Sequence, residues 1–152
     1  MAYQNKKLRL EQVDEQLKEL RKIELDKPPS GWINAIRTAI SMSAKQLAKR
    51  LQISQQALSN LEKREVEETI TIGKLREIGN ALNLKLVYSF IPDNSLESMI
   101  DEQANKLARK IVMRTSLQME IEDQRVEDKK LKKSIDQRAK EIARKMPMNL
   151  WD

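Results

Sequence analysis

Three carboxamide side chains near the start of one predicted helix have the chemistry needed to read DNA bases. Gln55, Gln56 and Asn60 lie in the segment SQQALSNLEKR. A carboxamide presents a donor and an acceptor together, which matches the N6 and N7 atoms of adenine in the major groove. The alternative is that these side chains form only a solvated helix face.

A second set of side chains is suited to contacts with the DNA backbone. Ser54 can cap the same helix, which leaves amide N–H groups at its positive end, where a phosphate is favoured. Ser59 follows closely enough to touch sugar or phosphate, and Lys63 and Arg64 add positive charge further along. Arg37, on the polar side of an earlier predicted helix, is a further candidate for a phosphate contact.

Two short amphipathic helices, SAKQLAKRL and SQQALSNLEKR, must position these side chains. A turn of three residues, 52–54, joins them. Ala48 is small enough to let two steeply crossing helices approach, and Ile53 can fill the angle between them. This pattern is typical of a helix-turn-helix that binds DNA.

The stretch resembles the helix-turn-helix of the lambdoid phage repressor and Cro-like family, also called the Xre family. The resemblance implies that Gln55, Gln56 and Asn60 face base edges in the major groove. The chain departs from the family pattern at two positions. Gln52 stands where glycine is usual, so a left-handed backbone there would cost about 1 kcal/mol. Ala44 replaces a glutamine that often braces the first base-reading residue.

Composition excludes several classes of function. The chain of 152 residues has no cysteine and no histidine, which removes disulfides, thiol nucleophiles, Ser-His catalysis and nearly all zinc sites. We therefore predict no enzyme activity, no cofactor and no metal site. Residues 30–94 carry the largest share of the net charge of +6, as nucleic-acid binding favours, although mixed-sign helical surfaces often carry surplus lysines. Without a long apolar run or signal peptide, we expect a cytoplasmic protein with no membrane contact.

The apolar spacing predicts a mainly α-helical protein with three segments. Residues 1–29 form an amphipathic helix and a Pro-Pro linker, residues 30–92 the helix-turn-helix domain with a terminal strand, and residues 93–152 a C-terminal helical arm. Ser30 is expected to cap the first helix of the domain. The apolar stripe of the N-terminal helix must pack on the bundle or on a partner, and the bundle is favoured. Two helices in the arm, to about residue 122 and from about Glu127, form an antiparallel pair.

The periodicity changes at residues 84–91. Apolar residues alternate there with other side chains, which predicts a half-buried strand; they are Leu84, Leu86, Tyr88 and Phe90. A lone strand cannot satisfy its own edges, and no second strand is recognisable in the sequence. Pairing with the same strand of a second copy would also supply the two-fold axis of a palindromic operator. The alternative is an extended segment docked on the bundle.

Over most of its length the chain resembles the family called mobile mystery protein A. The most specific segments are GWINAIR and SQQALSNLEKRE, supported by TITIGKLREIGNALNLKLVYSFIP, LARKIVMRTS and NLWD. The resemblance implies a helix-turn-helix protein of mobile genetic elements, paired with a Fic-domain protein. Fic enzymes transfer AMP from ATP to target hydroxyls, so such a pair resembles a toxin–antitoxin arrangement.

Antitoxins of Fic enzymes carry an inhibitory helix with Ser or Thr, three residues, Glu, and then Gly or Asn. Ser116 and Glu120 have the spacing but are followed by Ile121, and Ser98 and Glu102 are likewise incomplete. We prefer Ser116 and Glu120, which lie where a partner could reach the arm, although this spacing also arises by chance in acidic helices.

Two functions follow from the sequence. The first is sequence-specific binding of a homodimer to double-stranded operator DNA, with autorepression of an operon that also encodes a Fic protein. The alternative is an antitoxin-like inhibitory partner of a Fic AMP-transferase, acting through the C-terminal helical arm.

Overall fold

The computed structural model describes residues 1–121 and 128–152, except for the side chains of residues 119–121. These residues are mainly helical, which confirms the predicted fold class. The helices are α1 (Ala2–Lys18), α2 (Trp32–Ala39), α3 (Ala44–Arg50), α4 (Gln55–Val66), α5 (Ile72–Ala81), α6 (Leu96–Ile121) and α7 (Asp128–Lys145), with a short 3₁₀ turn at Leu20–Lys22. Across the described residues, no helix has the length and apolar character needed to cross a membrane.

The chain forms two compact units. One unit is Glu24–Phe90, which contains α2 to α5, and the other joins Met1–Ile23 to Ile91–Asp152. In the second unit the carboxylate of Asp14, on α1, accepts the backbone N–H groups of Leu96 and Glu97 at 2.7 and 3.0 Å. A carboxylate is favoured at the positive N-terminus of a helix. The N-terminal helix therefore packs with α6, which differs from its expected packing on the helix-turn-helix bundle.

The core of the unit Glu24–Phe90 collects apolar residues from each of its four helices. The buried members are Ile33, Leu47, Ala48, Leu58, Leu61 and Ile78. Side-chain caps define where the later helices begin, because Ser43, Ser54 and Thr71 each accept a backbone N–H three residues ahead. At Ser43 the cap is reciprocal, since the side chain of Gln46 accepts the Ser43 N–H.

In the other unit α6 and α7 pack closely through small residues. Ala104 and Ala108 of α6 are fully buried with Ala139 and Ile142 of α7. The C-terminal segment joins this cluster through Leu150, whose carbonyl accepts the side-chain amide of Gln103 at 2.9 Å. Residues 122–127, which contain the predicted end of one arm helix and the predicted start of the next at Glu127, lie outside the described residues.

Residues 84–91 are extended but are not part of a β-sheet, since no described residue forms a ladder with them. The Leu84 N–H donates to the Gly79 carbonyl at 2.8 Å, which ends α5. Leu84, Leu86 and Val87 then line an apolar groove on their own unit. Within one chain, this arrangement agrees with the alternative prediction of a segment docked on the bundle. Pairing with a second copy stays a prediction.

Candidate nucleic-acid interface

The turn between α3 and α4 has the left-handed backbone that the family pattern implies. Gln52 has a φ of 56°, and the N–H groups of Gln52 and Ile53 donate to Lys49 and Ala48 at 3.2 and 3.0 Å. Ile53 packs against the core, as expected. The turn therefore places a glutamine in a conformation that glycine adopts more easily, since glycine has no Cβ.

We expect Gln52→Gly to raise the free energy of unfolding by up to about 1 kcal/mol, because glycine relieves the left-handed strain. Urea unfolding followed by circular dichroism measures this change. Gln46→Gly is a contrasting control, since it removes a capping side chain from inside a helix and should destabilise the protein. An unchanged or lower stability of the Gln52 variant would show that the turn carries no strain.

The recognition face of α4, defined as Gln55, Gln56, Ser59 and Asn60, is exposed. The Ser54 hydroxyl accepts the Ala57 N–H at 3.0 Å, so α4 begins where the sequence predicts. The opposite side of the helix is held by Leu58, which is fully buried. One pair on the face is already ordered, because the Gln56 side-chain amide donates to the side-chain oxygen of Asn60 at 3.4 Å.

The basic residues at the end of α4 differ in how much of their side chain is engaged. Lys63 is exposed and lies 3.6 Å from Glu67, one turn ahead. Such a surface pair is weak and leaves the ammonium group available to a phosphate. Arg64 donates to the Thr69 carbonyl at 3.1 Å, which leaves it fewer free donors than Lys63.

Arg37 does not fit the predicted phosphate contact. It is only 9% exposed, and its Nε and Nη2 atoms donate to the Glu62 carboxylate at 2.8 and 3.2 Å. Its Nη1 donates to the Met42 carbonyl at 3.1 Å. The guanidinium group binds a carboxylate inside the protein and so joins α2 to α4. It is therefore not available to DNA.

Glu65, which sequence reasoning missed, ties the far end of α4 to the start of α2. It is 6% exposed, and its carboxylate accepts the N–H groups of Trp32 and Ile33 at 2.8 and 3.0 Å. It thus supplies the cap expected from Ser30, because α2 begins after Gly31 with no side-chain cap of its own. The close contact depends on Gly31, which has a φ of 79° and whose added Cβ would lie 2.8 Å from the Glu65 carboxylate; no local sequence pattern indicates it.

The four acids in and after α4 are all engaged by partners within the chain. Glu62 binds Arg37, Glu65 caps α2, and Glu67 pairs with Lys63. Glu68 accepts a hydrogen bond from Lys27 at 2.9 Å, and this bond lowers the pKa of the Glu68 carboxyl below its ordinary value. Glu62 and Glu65 therefore add little repulsion toward an approaching phosphate, since both are held by partners inside the unit, whereas the exposed pairs of Glu67 and Glu68 compensate their charge only weakly.

The residues proposed for Fic inhibition lie in the other unit. Ser116 is half-buried near the end of α6. Glu120 belongs to the same helix, but its side chain lies outside the described residues. The inhibitory role of Ser116 and Glu120 therefore stays a prediction.

Comparison with known proteins identifies the unit that contains the recognition face. Residues 33–89 match the family model described as Helix-turn-helix. No curated protein and no solved structure matches the chain significantly. The matched residues run from α2 through α5 to the extended segment and include every residue of the recognition face. Residues 33–89 of this chain are therefore a helix-turn-helix domain of the Xre and Cro-like type.

Proposed function

We propose that this chain is a sequence-specific transcription regulator that reads base edges with Gln55, Gln56 and Asn60. The observation that carries the proposal is the recognition face itself. Three carboxamides are exposed on one side of α4, while the other side is fixed by the fully buried Leu58. A rigid helix with this polar face matches the way a recognition helix enters the major groove.

We assign the contacts with the DNA backbone to Ser59 on that face and to residues beside it. Ser54 caps α4, and the N–H groups that follow it favour a phosphate. Ser59 reaches sugar or phosphate from the next turn, and Lys63 and Arg64 supply charge. Lys63 carries more of this role, because Arg64 already donates to Thr69. Arg37 has no part in it, since its guanidinium is bound to Glu62.

Lys63→Ala is expected to weaken binding to specific and random DNA by a similar factor and to reduce the salt slope by about 1. The reason is that a phosphate contact releases a counterion but carries no sequence information. Titrations at several salt concentrations measure the slope. Lys22→Ala, which removes an exposed lysine also paired with a nearby glutamate, is the matched control. A loss confined to one DNA sequence would contradict a phosphate contact.

The resemblance to mobile mystery protein A narrows the role to autorepression of a mobile-element operon that also encodes a Fic protein. Two copies on a palindromic operator would suit such a regulator. A reporter gene behind the chain's own upstream DNA tests this. We expect repression when the chain is supplied and its loss with Gln56→Ala. Reporter expression that does not change when the wild-type chain is supplied would overturn autorepression.

The alternative, inhibition of a Fic AMP-transferase through the C-terminal arm, is supported by one feature of α6. Met113 and Leu117 are exposed apolar residues that flank Ser116 on this helix, and a partner could cover them. Adding the full chain to the Fic enzyme encoded beside it should stop AMP transfer, and Glu120→Ala should restore the transfer. Undiminished transfer with the wild-type chain would remove this alternative.

A further inference from the structure

The helix α7 carries a large excess of positive charge. It contains eight lysine or arginine residues and three acids, so its net charge is +5, beside +6 for the whole chain. Acidic residues elsewhere in residues 93–152 conceal this excess when the C-terminal arm is counted as a whole. Helix α1, which is of similar length, has four basic residues and three acids. The excess is therefore a property of α7 and not of every exposed helix in the chain.

Four of these basic residues lie along one side of α7, and we call them the basic stripe. They are Lys129, Lys133, Lys140 and Arg144, and all four are exposed. Their spacing of four, seven and four residues follows the period of an α-helix, so the stripe runs along one side for about 22 Å. The other side of α7 packs on α6 through the buried Ala139 and Ile142. Gln137, which is uncharged, occupies the turn in the middle, so no acid interrupts the stripe.

The acids of α7 form no ion pair with the basic stripe. Glu141 binds Lys145 at 2.7 Å and Arg138 at 3.0 Å, and these two basic residues lie outside the stripe. Asp136 and Lys140 line the same cleft against α6 without forming an ion pair. Among the described residues, no carboxylate forms a salt bridge with any residue of the stripe.

The N-terminal segment of the same unit has the opposite arrangement. Lys7, Lys18 and Lys22 are also exposed, but each lies within 4 Å of a glutamate three or four positions away. In the basic stripe, positions four residues apart carry like charges, which repel each other and destabilise the helix. A row of positive charges without partners is expected where a polyanion supplies the negative charge.

Three features of the molecule favour duplex DNA as that polyanion. Helix α7 has no aromatic residue, so it has no side chain on which the bases of a single strand could stack. Its apolar side is buried against α6, so it cannot insert that side into a membrane surface. The same chain contains a helix-turn-helix domain, and DNA bound there would expose the stripe to a high local concentration of duplex phosphates.

We propose that the basic stripe of α7 is a second contact surface for the phosphate backbone of duplex DNA, separate from the recognition face. Phosphates follow one another at about 3.4 Å along the axis of each strand, so a run of about 22 Å passes several of them. Each lysine or arginine that neutralises a phosphate releases a counterion whatever the base sequence. The inference rests on the proposed function, and it adds affinity for DNA without adding specificity.

A variant that removes the four charges of the basic stripe tests this contact; it is Lys129→Gln/Lys133→Gln/Lys140→Gln/Arg144→Gln. The matched control removes three lysines and one arginine from the N-terminal segment of the same unit, all of them exposed; it is Lys7→Gln/Arg9→Gln/Lys18→Gln/Lys22→Gln. The two variants have the same net charge. Circular dichroism of each full-length variant checks that its helices are kept.

Titration of a scrambled duplex at several salt concentrations measures the effect of each variant. We expect the stripe variant to bind about tenfold or more weakly at low salt and its salt slope to fall by about 2–4, since each phosphate contact contributes about 0.9. The control should change the slope by less than about 1. Equal slopes for the two variants would overturn the proposal.

Lysine acetylation of the unchanged chain tests the contact without any variant. The rate of acetylation at each lysine is measured by mass spectrometry, with and without the scrambled duplex at low salt. We expect DNA to slow acetylation several-fold at Lys129, Lys133 and Lys140 and to leave Lys7 and Lys18 unchanged. Protection of the stripe by polyglutamate but not by DNA would assign it to an acidic protein partner and overturn the proposal.

The ratio of specific to scrambled affinity separates this proposal from the proposed function. The stripe variant should weaken both affinities by a similar factor and keep the ratio, whereas Gln56→Ala should lower the ratio. A wild type that binds every sequence equally, with a salt slope that still falls in the stripe variant, would remove the proposed function and support the contact through α7.

Discussion

Glu65→Ala is expected to lower the free energy of unfolding of the helix-turn-helix unit by about 3–5 kcal/mol. The carboxylate is buried and accepts two backbone N–H groups at the start of α2, at 2.8 and 3.0 Å. Its removal leaves both donors without a partner and takes the negative charge from a helix N-terminus. Glu65→Gln keeps one acceptor oxygen and should cost less than the alanine variant.

Urea unfolding followed by circular dichroism measures both variants. Glu67→Ala is the matched control, because Glu67 is an exposed glutamate near the end of the same helix and should change stability by no more than about 0.5 kcal/mol. If Glu65→Ala were no more destabilising than this control, Glu65 would not hold α2 to α4.

Gln56→Ala is expected to weaken binding to the specific site by about 1–3 kcal/mol and to change binding to random DNA little. The carboxamide of Gln56 is exposed and paired with Asn60, so it can offer a donor and an acceptor to one base. Alanine keeps the helix but removes both groups. Competition titrations with specific and scrambled duplexes measure the difference.

Gln137→Ala is the control for this variant, since it removes an exposed glutamine from α7 in the other unit. It should leave both affinities unchanged. Equal losses on specific and random DNA with Gln56→Ala would show that the side chain contacts the backbone instead of a base.

Local patterns were enough to predict the helices of the domain and the exposure of its recognition face. A helix repeats its buried positions every three or four residues, and Leu47, Ala48 and Leu58 are buried at that spacing. The cap at Ser54 depends only on residues that follow it directly. The left-handed turn at Gln52 was implied by the resemblance to the Cro-like family, in which glycine is usual at this position.

Contacts between distant residues could not be predicted in this way. Arg37 was expected on a solvated face, yet it is buried because Glu62, 25 positions away, supplies its partner. Glu65 likewise has a distant partner, because its carboxylate lies against Gly31, where a Cβ would leave no room for it. The helical period of a sequence does not show which charged side chain binds which helix end. A polar residue that is buried with a partner is therefore predicted, wrongly, to lie on the surface.

Residues 84–91 show a second limit of prediction from the sequence. The alternation of Leu84, Leu86, Tyr88 and Phe90 predicted a half-buried strand, but Tyr88 and Phe90 are exposed, and a β-ladder needs a second strand. Within the described residues of one chain there is none. The alternation of apolar residues therefore did not predict a strand within one chain, and pairing with a second copy stays a prediction.

Fluorescence anisotropy of the full chain on its own upstream DNA, beside a scrambled duplex of equal length, tests the central claim most directly. At two salt concentrations we expect the wild type to bind the upstream duplex at least about a thousandfold more tightly than the scrambled one. The double variant Gln55→Ala/Gln56→Ala should lose most of that preference and keep the weak, salt-sensitive binding. Equal affinity of the wild type for both duplexes would contradict sequence-specific reading by α4.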